Sequence, residues 1–90
     1  MADYSPHQKK AIDRYYDNHR TILLTRLGDI VTDLYLADSD AKRDRLWQRA
    51  AQAMAGLDIA PELTRHILRQ RKPEVLARNL SDWLDEAARP

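Results

Sequence analysis

Residues Thr21–Leu36 read TILLTRLGDIVTDLYL, and this stretch decides the fold. At about 100° per residue, Leu23, Leu24, Leu27, Ile30, Val31, Leu34 and Tyr35 fall within an arc of about 140°. No other segment has so broad an apolar face, so residues 21–36 are expected to form the central helix. Gly28 lies at the edge of that arc. A glycine inside a helix costs about 1 kcal/mol against alanine, so a close helix crossing is expected there.

Upstream, Ser5, Pro6 and Gln8 form a helix-start pattern, with Ser5 as N-cap and Pro6 at the first helical position. A helix over about 6–18 would place Ile12, Tyr15, Tyr16 and His19 on one face. Neither Gly nor Pro separates it from the central helix; only Asn18 and Thr21 hint at a break. Downstream, Ser39 is a candidate N-cap and Gly56 a candidate stop for a helix over 40–55. Its inner face would carry Leu46, Trp47, Ala50, Ala53, Met54 and Leu57. Pro61 opens a short helix over 61–70, with Leu63 and Ile67 inward. Pro73 ends it and opens another over 73–88, with Leu76, Leu80, Trp83, Leu84 and Ala87 inward.

Nothing reads as strand: period-two alternation is absent and helix formers dominate. The expected fold is therefore all-α, a compact irregular bundle of four to five helices in a single domain spanning 1–90. The connections are short, as a bundle requires.

The chain has 90 residues and no cysteine, which excludes disulfides, thiol nucleophiles and Cys-ligated zinc. The opening Met-Ala-Asp-Tyr-Ser-Pro lacks the apolar run of a secretory leader. Arg26, Asp29 and Asp33 interrupt the most apolar stretch, so no membrane span is expected. Cytoplasmic location is the default expectation. Formal net charge is +1, unevenly spread. Residues 1–38 hold five basic and six acidic side chains, 39–72 eight and four, and 73–90 two and four.

No catalytic, metal or cofactor pattern emerges. The histidines have no i+4 histidine partner, and His19 reads as a half-buried packing residue. Asp38, Asp40 and Asp44 lack the glycine and terminal glutamate of a calcium loop and fit helix-start electrostatics. Asp29 and Asp33, beside Arg26, read as the solvated side of the central helix. Two isolated glycines cannot make a phosphate loop. No catalytic residue, metal ligand or cofactor is assigned, and catalysis is not expected.

Two binding surfaces are candidates. Tyr15, Tyr16 and Tyr35 are the candidate contacts of a protein partner, either another chain or a second copy, because tyrosine is enriched at interfaces. A chain this short buries a modest core, so covering a face in a dimer would add stability. The alternative is nucleic-acid binding through 42–72. There, two helices around Gly56-Leu57 resemble a helix-turn-helix, with Lys42, Arg43, Arg45, Arg49, Arg65, His66, Arg69, Arg71 and Lys72 as phosphate and base contacts. The turn is about two residues longer than that motif uses, and an ordinary αα-hairpin with a solvated Arg-rich face is the favoured reading of the same residues.

Overall fold

The computed structural model describes the backbone of residues 6–88 and the side chains from residue 18 onward. Four helices follow in order: α1 (Pro6–Leu36), α2 (Asp40–Gly56), α3 (Pro61–Gln70) and α4 (Pro73–Ala88). No strand occurs among the described residues. In the all-α bundle, α1 packs on α2 and α4, α2 on α3, and α3 on α4. The four helices thus form a ring around one core.

Residues 6–18 and 21–36 belong to one continuous 31-residue helix, which resolves the open question of a break at Asn18–Thr21 and sets the helix count at four. Asn18 and Thr21 are only mildly poor helix formers, worth under about 0.7 kcal/mol each, and no helix breaker supports them. A run of i to i+4 hydrogen bonds crosses such residues readily. α1 is about 46 Å long, against about 25 Å for α2. Among its described side chains, residues 18–22 are exposed and burial starts at Leu23. The molecule is accordingly elongated, 54 × 24 × 23 Å.

The core joins Leu23, Leu24, Leu27, Ile30 and Leu34 of α1 to Leu46, Trp47, Ala50, Ala53 and Met54 of α2. Leu57, Ile67 of α3 and Leu76, Leu80 and Trp83 of α4 complete it. Leu27, Met54, Ile67 and Leu76 are fully buried, and no polar side chain is buried among the described residues. Residues 21–36 are central, as their arc required. Leu84 and Ala87 do not join the core: Leu84 is 47% exposed and Ala87 is exposed. Leu84 sits one residue round from the Leu76–Leu80–Trp83 stripe, and Ala87 lies a turn beyond Trp83, in the last turn of α4.

The helix ends are set locally. Ser39 caps α2, its Oγ accepting from the Lys42 N–H at 3.2 Å. At the other end Gly56 is not the left-handed stop; no glycine has positive φ. Asp58 takes that conformation, at φ 57°. The Asp58 N–H donates to the Ala55 carbonyl at 3.1 Å and the Ile59 N–H to the Met54 carbonyl at 3.1 Å. Those two bonds define a Schellman ending with Asp58 in the place glycine usually holds. Gly56 serves a different need. A β-carbon there would lie 2.8 Å from Leu23 Cδ1, so its missing side chain lets the end of α2 approach α1. Gly28 is under less pressure, with Leu80 Cδ2 of α4 at 4.0 Å.

Candidate interaction surface

On the outer side of the α1–α2 pair, away from α3 and α4, runs a groove. Along α1, Ile22, Arg26, Asp29, Asp33 and Leu36 are all exposed. Their positions step by four, three, four and three residues, the spacing that holds side chains in line along a helix. Along α2, Lys42, Arg45, Arg49 and Gln52 form a matching exposed row. Buried Leu23, Ile30, Leu46 and Ala53, with half-buried Ala37, make the apolar floor.

Two hollows occupy the groove. One, of about 470 Å³, is lined by Leu23, Arg26, Asp29, Ile30 and Asp33 of α1 and by Arg49, Gln52 and Ala53 of α2. The second, of about 270 Å³, joins it at Asp33 and Arg49 and reaches Leu36, Leu46, Arg45 and Lys42. Lys42 is tied to Asp38 at 2.9 Å. Arg26, Arg45, Arg49, Asp29 and Asp33 make no ion pair among the described residues. The groove therefore presents charges of both signs with their hydrogen-bonding capacity turned to solvent. Comparisons with protein-family models, curated proteins and solved structures find no match to this chain.

The basic residues of 42–72 do not form one surface. Lys42, Arg45 and Arg49 line the α1 side of α2. Arg43 folds back on its own helix start, donating to Asp40 at 3.0 Å and to the Ala37 carbonyl at 3.1 Å. Arg71 Nη1 donates to Asp44 Oδ1 at 2.6 Å on the α3 side. Arg65, His66 and Arg69 surround a separate hollow with Glu62. Lys72 is exposed in the short α3–α4 connection. Because α2 lies between α1 and α3, its two charged flanks face different neighbours.

Among the tyrosines, Tyr35 is exposed and lines neither hollow of the groove. Tyr15 and Tyr16 lie outside the residues whose side chains are described. His19, expected half-buried, is exposed, one turn before Leu23, the first described α1 side chain in the core. Ile22 and Leu36 were not among the residues singled out by sequence, and Arg26, Asp29 and Asp33, expected only as a solvated face, border the groove. Their alternating spacing of four and three residues lies within 21–36 and is legible in the sequence; that α2 runs alongside this row to form a groove is not. No group of three or more His, Asp or Glu side chains placed to hold a metal occurs among the described residues, and no described helix is long and apolar enough to cross a membrane.

Proposed function

We propose that this chain is a small protein-interaction module whose docking face is the α1–α2 groove. One observation carries the reading. A groove floored by Leu23, Ile30, Leu46 and Ala53 is bordered by two in-line rows of side chains, with Arg26, Arg45, Arg49, Asp29 and Asp33 left unpaired. A ridge of side chains from a further helix fits between such rows, and this is how helices are recognised in grooves. No catalytic role is proposed. Nucleic-acid binding through 42–72 has less support, since its basic residues divide between two flanks and Asp29 and Asp33 stand in the path of a phosphate backbone.

The test is affinity capture from a lysate of the source organism, with and without nuclease. Wild-type chain is compared with the double variant Arg45→Glu/Arg49→Glu. The expected result is a stoichiometric protein, which includes untagged copies of the chain itself, held after nuclease treatment and lost by the variant. Capture that disappears with nuclease, or that the variant leaves unchanged, overturns the reading.

A further inference from the structure

We infer that the partner is a second copy of this chain, docked with its α1 antiparallel to the first about a two-fold axis beside Asp29. The inference rests on the docking reading above and names its partner, which meets the groove along the α1 rim. The row Ile22, Arg26, Asp29, Asp33, Leu36 is chemically self-complementary when reversed. Turned end for end about Asp29, Ile22 meets the second copy's Leu36, and Arg26 meets the second copy's Asp33. Each match occurs twice in the dimer, because a two-fold interface uses the same patch on both subunits.

Three features favour this occupant. First, Ile22 and Leu36 are 48% and 75% exposed, two of the large apolar side chains the bundle leaves in water, and they stand at opposite ends of one row. Reversal places each against the other, over a seam about 21 Å long. Second, Arg26 and Asp33 have no ion-pair partner among the described residues. A parallel pairing would set Arg26 on Arg26 and Asp33 on Asp33, so charge selects the antiparallel arrangement. Third, the heptad step of the row is the one at which two helices stay in contact over several turns. The exception is Asp29, which meets its own copy on the axis. Arg49 lines the same hollow as Asp29 and Asp33 and supplies the compensating charge from α2. A uniformly acidic helix from another protein fits less well, because it would meet Asp29 and Asp33. The seam is a single helix edge, so the dimer is weak and forms with rising concentration.

Sedimentation velocity of the full chain across the micromolar range tests the inference, with folding of each variant checked by circular dichroism. Wild type is expected to pass from monomer to dimer. Arg26→Asp alone, or Asp33→Arg alone, weakens the dimer about tenfold or more, since two symmetric attractions become two repulsions. The charge-swapped double variant Arg26→Asp/Asp33→Arg recovers it. The chain has no cysteine. Asp29→Cys is therefore expected to yield a disulfide-linked dimer on mild oxidation, whereas Asp85→Cys, at an exposed position of α4, stays monomeric.

A wild type that is monomeric throughout overturns the inference, as do singles without effect or a double variant that fails to recover. If the wild type is monomeric yet captures a cellular protein that Arg45→Glu/Arg49→Glu loses, self-pairing falls and the docking reading stands. If that capture also fails, both fall.

Discussion

Gly56 ends α2 directly over Leu23 of α1, where a β-carbon would stand 2.8 Å from Leu23 Cδ1. A β-carbon added at Gly28 of α1 would meet only Leu80 Cδ2 of α4, at 4.0 Å. The two glycines should respond differently to the same change. Gly28→Ala gains helix propensity and meets only ordinary contact, so it should stabilise the fold by about 0.5–1 kcal/mol. Gly56→Ala forces buried Leu23 to move and should gain less, or lose. Urea denaturation of both variants checks this; equal gains would show that Gly56 sets no close approach.

Trp47 and Trp83 are both buried, on α2 and α4 respectively. Truncating either to alanine should cost about 3–5 kcal/mol, the usual range for a buried tryptophan. Leu27→Asp places a carboxylate at a fully buried position with no polar partner and should abolish folding. A cooperative thermal transition for Leu27→Asp, followed by circular dichroism, would show that α1 is not the centre of the core.

Asp58 holds a left-handed conformation that costs a residue with a β-carbon more than it costs glycine. Asp58→Gly should therefore stabilise the chain modestly, by about 0.5 kcal/mol, after the greater unfolded-state entropy of glycine is set against the relieved strain. Asp58→Val should be destabilising by about 1 kcal/mol or more, since β-branching suits this region worst. Chemical denaturation of the pair gives the ordering; a more stable valine variant would contradict the Schellman ending of α2.

Arg71 and Asp44 join the α3–α4 connection to α2, 27 residues apart in sequence. Both side chains are about half exposed, so solvent screens them. A double-mutant cycle with Arg71→Ala and Asp44→Ala should return a coupling of about 0.5 kcal/mol that shrinks as salt is added. A salt-independent coupling would mean that Arg71 acts through packing of its stem.

Much of the fold was legible because apolar spacing in a helix is a local property. The arc from Leu23 to Leu34, the Ser39 cap and the proline starts at 61 and 73 each depend on a few neighbouring residues. The continuity of α1 across residues 18–21 was not legible, because Asn18 and Thr21 carry a weak local preference that nothing nearby opposes or supports. Leu84 was misread because periodicity gives the direction of a side chain but not whether another helix lies in that direction. The candidate site was legible only in fragments: Lys42, Arg45 and Arg49 could be singled out as basic, but no sequence rule separates them from Arg65, His66 and Arg69.

The amino-acid sequence by itself determined that this chain is helical, where most of its helices begin and end, and which stripe of α1 is buried. Those outcomes follow from hydrogen bonding and hydrophobic burial over one or two turns. Tertiary structure decided that α2 stands between α1 and α3, so that the charges of residues 42–72 divide between two flanks. It also decided that Arg26, Asp29 and Asp33 border a groove instead of a bare helix face. Such placements depend on contacts between residues far apart in the chain, such as Leu23 with Gly56 and Asp44 with Arg71, and no local pattern encodes their geometry.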